Sequence, residues 1–204
     1  MRVLVACEFS GVVRDAFRTR GHDAWSCDLL GPDDMPEAFR SQAFPNYHYE
    51  GDVRAFFDLG WDLLIAHPPC TYLASSGLHW TTRGLRDPRL TEDALAFVRD
   101  LLAAPVARIA LENPVGCIST RIRKPDQIIQ PWQFGHAESK TTCLWLKGLP
   151  TLVPTDVLPV PASGRWANQT PSGQNRLGPN PKRWAERAKT YQGIAAAMAD
   201  QWGA

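Results

Sequence analysis

Trp61-Asp62-Leu63-Leu64-Ile65-Ala66-His67-Pro68-Pro69-Cys70 runs an apolar, strand-type segment straight into two prolines and a cysteine. Proline has no N–H to give to a ladder, so the strand must stop there and hand the chain to a loop. In an open α/β sheet, ligands sit at the carboxyl ends of the strands. A thiol delivered to that edge reads as a candidate nucleophile rather than as a small buried apolar residue. Ile109-Ala110-Leu111-Glu112-Asn113-Pro114 repeats the arrangement with a carboxylate in the thiol's place. A nucleophile and an acid at neighbouring strand ends suit covalent attack on a polar ring that needs a proton.

Outward from this pair, strand and helix signals alternate through the first two thirds of the chain. That is the pattern of a Rossmann-like α/β fold, a mostly parallel sheet with helices on both faces. Val3–Cys7 reads as the first strand and Val12–Arg20 as a helix whose Val13, Ala16 and Phe17 share a face, with Gly21 placed to end it. Ala24–Asp28 is a short strand, and Leu30–Tyr49, rich in proline, reads as loop. Leu63–Ala66 is the strand quoted above, and Thr71–Arg89 looks irregular. A helix follows to Ala103, with Leu95, Val98, Leu101 and Leu102 facing inward and Pro105 ending it. Arg108–Leu111 and Thr142–Leu146 read as strands, and Asp126–Phe134 as a loop with a short helix limited by Pro131. Residues 149–181 have little periodicity, and a last helix is expected over Lys182–Trp202, with Gly193 a candidate break. The expected units are therefore a core of residues 1–148, a small irregular lobe of 149–181, and a closing helix of 182–204 that packs back on the core.

Composition bounds the site. With 204 residues and 44% hydrophobic content the chain can bury one good core. No apolar run approaches the roughly 20 residues of a membrane span, and the first residues read as a strand rather than a signal peptide. No membrane association and a cytoplasmic location are the expectations. Five cysteines without a CxxC spacing argue against a disulfide framework and against a thiolate metal site, so no metal is expected. The net charge is only +1, but the halves differ: 10 Lys/Arg against 15 Asp/Glu in residues 1–100, and 12 against 6 in 101–204. That asymmetry fits a polyanion meeting the C-terminal half, or simply a solvated basic surface.

A cysteine attacks as thiolate, which a nearby positive charge must favour. Pyrimidines accept such attack at C6 only if the charge developing at N3 is neutralised, and a protonated Glu112 can do that. At these residues the chain resembles the cytosine-C5 DNA methyltransferase family, in a small form without a full target-recognition domain. Cys7-Glu8-Phe9-Ser10-Gly11, with the following helix up to Gly21-His22, looks like the family's first cofactor motif. Asp28 falls where the family holds ribose hydroxyls, and Gly51-Asp52-Val53 resembles its adenine contact. Pro68-Pro69-Cys70 matches the catalytic Pro-Pro-Cys, and Glu112-Asn113 the pair that grips the cytosine edge.

The resemblance implies a class I S-adenosylmethionine-dependent methyltransferase fold, with S-adenosyl-L-methionine as cosubstrate. It implies Cys70, Glu112 and Lys140 in catalysis, and Glu8, Phe9, Ser10, Gly11, Asp28, Asp52 and Pro68 around the cosubstrate. Glu8 reads equally as a helix cap. Against the substrate it implies Pro69, Asn113, Ser75, Arg83 and Arg86, the last three on a segment that occupies the place of the family's mobile catalytic loop. Lys140 stands in Glu138-Ser139-Lys140-Thr141-Thr142, where the family has Gln-x-Arg-x-Arg, and reads as a group at the pyrimidine O2 or as a surface lysine. His67 departs from the Asp/Asn-Pro-Pro-aromatic motif of amino-directed methyltransferases, and with Cys70 in the aromatic slot a carbon target is favoured. The expected partner is DNA, with target recognition supplied by 149–181, by an oligomer or by another protein. RNA or a free cytosine nucleotide with the same chemistry remains open, as does a non-catalytic binding module.

Overall fold

The computed structural model describes residues 1–31, 37, 41, 43–172, 175–178, 187, 188 and 190–204. Among the described residues seven strands form one sheet: β1 (Arg2–Ala6), β2 (Asp23–Asp28), β3 (His48–Glu50), β4 (Leu63–Ala66), β5 (Arg108–Pro114), β6 (Gln127–Ile129) and β7 (Thr142–Lys147). Their order across the sheet is β3-β2-β1-β4-β5-β7-β6. The first five pair in parallel, and β7 runs antiparallel to both β5 and β6. The central strands are buried on both faces, which is why Val3-Leu4-Val5 and Leu63-Leu64-Ile65 are unbroken apolar runs instead of alternating ones.

Alternate side chains feed two cores. On one face α1 (Val12–Thr19) and the closing helix, here α5 (Gln192–Trp202), bury Val13, Phe17, Ile194 and Met198 against Val3, Val5, Leu63 and Ile65. On the other, α3 (Arg89–Ala103) sets Leu95, Val98 and Leu101 against Leu4, Leu64, Ile109 and Leu111, and the short α4 (Ile118–Arg121) adds Ile118. The expected α/β architecture is therefore observed, with helices on both faces.

Several boundaries differ from the sequence reading. β5 continues through Glu112 to Pro114, because β7 pairs opposite those residues. The proline-rich loop before residue 50 ends in β3, too short to show periodicity and held by Tyr49 stacked on Trp25 at 4.6 Å and on Phe56 at 4.5 Å. Residues Thr71–Arg89 are not irregular: they contain α2 (Ser75–Thr82), whose Gly, Trp and hydroxyl residues give no apolar stripe. Asp126–Phe134 holds β6 and a single 3-10 turn, Pro131–Gln133, in place of the expected short helix. Gly193 does not break the closing helix but lies in its first turn, its N–H donating to His136 Nε2 at 2.9 Å. The remainder of the expected helix at 182–186 and 189, Pro32–Pro36 of the early loop, Gly173-Gln174, and Trp184 lie outside the described residues. Among the described residues no helix is long and apolar enough to cross a membrane.

The turn after β4 is clamped from the β5 side. Ser75 N–H donates to Val115 O at 3.0 Å and Cys117 N–H to Leu73 O at 2.9 Å, around an Ala74–Gly116 bridge. A Cβ at Gly116 would come within 1.9 Å of the Leu73 carbonyl oxygen, and one at Gly77 within 2.0 Å of the Thr71 oxygen. Both contacts are with backbone, which cannot step aside. Gly116→Ala is expected to destabilise by about 1–3 kcal/mol in urea denaturation, as overpacking does. Gly178→Ala, with nothing within 4 Å, should leave the midpoint nearly unchanged.

Candidate active site

The loops at the carboxyl ends of β1, β2, β4 and β5 open onto a cavity of about 420 Å³. Cys70 and Glu112, from separate strands, both line it. Lys140 and Thr142 enter from the start of β7, Trp80 and Arg86 from α2 and its exit, and Arg187 and Tyr191 from the approach to α5. Glu8, Phe9, Ser10, Asp28, Pro68 and Pro69 complete the wall on the β1 side.

Cys70 is a thiol at rest. Burial pushes its pKa up; the charge of Arg187 opposes this most, Glu112 adds to the rise, and Lys140 lowers it. Cys70 begins a 3-10 turn, Cys70–Tyr72, and its own backbone N–H also works against the rise. Glu112 is the opposite case. Burial would raise its pKa, but the hydrogen bond from His67, the Lys140 ammonium and the Thr142 hydroxyl outweigh it and hold the carboxyl below its usual range. A buried carboxylate persists only with such partners. His67 Nδ1 lies 3.3 Å from Glu112 Oε2, and since a carboxylate only accepts, the ring nitrogen is the donor.

The other sites expected from sequence fall into distinct places. Glu8 lines the cavity, but Val13 N–H and Arg14 N–H donate to its two oxygens at 2.6 and 3.1 Å, so it caps α1. Burial raises its pKa, with His67 and those amides opposing. Gly11 is the N-cap residue of α1 and lies outside the cavity wall. Asp28 lies between the main cavity and a second one of about 250 Å³, which also takes in Gly51, Asp52, Val53 and Phe97. The two share Cys7, Asp28 and Pro69. Burial raises the pKa of Asp28, whereas Arg54 holds that of Asp52 down. Two acids beside the apolar Val53 and Phe97 fit a nucleoside with hydroxyls to bind, which is how S-adenosylmethionine would be held without a phosphate loop.

Asn113 borders the cavity, but its amide nitrogen donates to the Pro68 carbonyl at 2.7 Å, so it joins the two strand ends instead of reaching outward. Of the expected loop contacts only Arg86 borders the cavity; its guanidinium donates to Thr71 O at 3.1 Å. Ser75 Oγ donates to Val115 O at 3.0 Å and Arg83 is exposed, both outside the cavity wall, where the helical course of α2 places them. Arg187 and the bonding of His67 were not foreseen. Arg187 stands among 22 Lys/Arg with no motif to mark it, and only the fold carries it to Cys70, where it also donates to Ser76 Oγ at 3.2 Å.

No protein-family model and no curated protein matches the chain. Among solved structures it resembles the Entamoeba histolytica methyltransferase EhMeth, with 15% identity over 78% of this chain and 57% of that one, at a TM-score of 0.54. The Dnmt2 methyltransferase of S. pombe is 16% identical over 74% of this chain and 52% of its own, at 0.49. The chain shares the mostly parallel α/β fold of the Entamoeba histolytica methyltransferase, and it spans little more than half the length of these two structures.

The arrangement around Cys70 makes its reactivity a test. Because the thiol is raised, alkylation of the Cys70 peptide by iodoacetamide, followed by mass spectrometry, should be slower at pH 8 than that of a free cysteine and should climb with pH. Arg187→Ala should slow it further and move the pH–rate curve upward, since the positive charge that favours the thiolate is gone.

Proposed function

We propose that this chain transfers a methyl group from S-adenosylmethionine to C5 of cytosine in DNA, through a covalent bond between Cys70 and C6. The observation that carries the reading is the opening of Cys70 and Glu112, a resting thiol and a resting carboxylate, onto one cavity that adjoins the Asp28–Asp52 cavity. The class I methyltransferase fold supports methyl transfer; the thiol supports carbon as the acceptor.

The opposed protonation states balance the first step. When Cys70 attacks, the S–C6 bond forms, the C5=C6 pair moves to C4–C5, and the C4=N3 pair settles on N3. N3 then needs the proton that the thiol gives up. Glu112, ionised and facing the same space, takes that proton and passes it on, so no outside acid is required. Lys140 and Arg187 offset the negative charge while it is on sulfur. The bound cosubstrate supplies an electrophilic methyl group to the enamine carbon C5. Solvent water takes the C5 proton as the C5=C6 bond re-forms and the C6–S bond breaks; N3 returns its proton to Glu112, which hands it back to the departing Cys70 thiolate, so the resting thiol and carboxylate are restored. Trp80, 45% exposed at the cavity, and Arg86 provide a stacking surface and a cation at the mouth for a base brought out of its helix.

Tritiated-methyl transfer to duplex DNA, RNA and dCMP, measured in parallel, tests this. Label in DNA as 5-methylcytosine is expected, with Cys70→Ser abolishing it and Glu112→Gln lowering it by at least about 10²-fold, the scale of a lost acid–base group. Label in RNA or dCMP alone would replace the substrate. No label in any of them would leave a nucleotide-binding module.

A further inference from the structure

His67 closes the apolar run that opens the site, yet its ring is not a core side chain. Its backbone N–H donates to Ala6 O at 2.9 Å, continuing the β1–β4 ladder by one residue and fixing where the ring emerges. The ring lines the main cavity and reaches across to β5, where Nδ1 donates to Glu112 Oε2 at 3.3 Å. Both side chains are largely enclosed, at 13% and 19% exposure, so water competes little for this bond. The other ring nitrogen, Nε2, is buried with no hydrogen-bond partner among the described residues. The protein thus uses the imidazole through one nitrogen only, and that nitrogen serves Glu112.

We propose that His67 is a positioning residue for Glu112, holding one carboxylate oxygen so that the other alone is presented to the pyrimidine edge. This rests on the methyl-transfer reading above. A glutamate side chain turns easily about its last bond, exchanging its oxygens, and either could then meet the ring at the wrong angle. Lys140 and Thr142 act on the carboxylate from the β7 side, and His67 is the donor from the β4 side. Without it the group is held from one side only. The acid–base step needs the heavy atoms within hydrogen-bond reach in a single geometry, and small misplacements cost rate steeply. His67 therefore acts through Glu112 and does not itself touch the ring.

The test uses the full chain, S-adenosylmethionine and duplex DNA carrying 5-fluorocytosine. There the fluorine cannot leave C5 as a cation, so the Cys70 adduct persists and its formation can be timed on denaturing gels. Asparagine places its amide nitrogen as many bonds from the backbone as Nδ1, whereas glutamine places it at the depth of Nε2. His67→Asn should therefore stay within about tenfold of the wild-type rate, while His67→Gln and His67→Ala fall by about 10²-fold. The KM for S-adenosylmethionine should be unchanged in all three. Asn and Gln differ by one methylene, so a rate gap between them at equal melting temperature is not a folding effect. Should His67→Ala match the wild type, or His67→Asn be as slow as His67→Gln, the positioning role is overturned. A wild-type protein that forms no adduct overturns the methyl-transfer reading and this proposal together, and is told apart by the first lane of the gel.

Discussion

The hydrogen bond from Asn113 Nδ2 to the Pro68 carbonyl, 2.7 Å long and wholly buried, is the constraint on which the site depends. It joins the last residues of two adjacent parallel strands just where one delivers a thiol and the other a carboxylate. A loop after a strand is ordinarily free to drift, and here it is not. The Ala74–Gly116 bridge and the two backbone bonds around it extend the tie between the turn carrying Cys70 and the strand carrying Glu112. Pro68 and Pro69 suit this role: they give no N–H to a ladder, and their fixed φ stiffens the approach to Cys70. Preorganisation of this kind is what a two-group reaction requires.

Burial then acts on the two groups in opposite directions. It raises Cys70, and the charges that oppose the rise are those of Arg187 and Lys140, both from the basic C-terminal half. It fails to raise Glu112 because His67, Lys140 and Thr142 surround the carboxylate. Cys27, pushed up to about 12, and Cys143, also raised by burial, stay protonated and inert as core thiols. Cys7 is raised further by burial and the nearby acids, although it lines both cavities. Among these thiols Cys70 is the one with cations facing it.

The central strands, α1 and α3 were legible because their apolar residues recur at strand or helix spacing, and burial is what that spacing encodes. β3 and β6, three residues each, are held by pairing and aromatic stacking that no local pattern announces. α2 was illegible for the converse reason: Ser75-Ser76-Gly77-Leu78-His79-Trp80 has no apolar stripe, and its helix is fixed by the close approach of Gly77 to Thr71. Within the site, the strand-end rule and the Pro-Pro-Cys and Glu-Asn resemblances led to Cys70, Glu112 and Asp28, and the place of the Gln-x-Arg-x-Arg motif led to Lys140, all of which border the main cavity. For Glu8 the alternative reading as a helix cap is the one its hydrogen bonds bear out, whereas no local pattern announces that Asn113 ties two strand ends. Arg187 is distant from every motif in sequence and reaches Cys70 only through the return of the chain before α5.

The central claim is one of placement: a nucleoside-bearing sulfonium beside, not within, the space shared by Cys70 and Glu112. A crystal structure with S-adenosylhomocysteine measures it directly. The account requires the adenosine to lie in the smaller cavity, with its ribose at Asp28 and its base near Asp52 and Val53, and the sulfur turned toward the cavity that Cys70 and Glu112 both line. Adenosine filling the larger cavity, over Cys70 itself, would leave no room for a pyrimidine and would contradict the account.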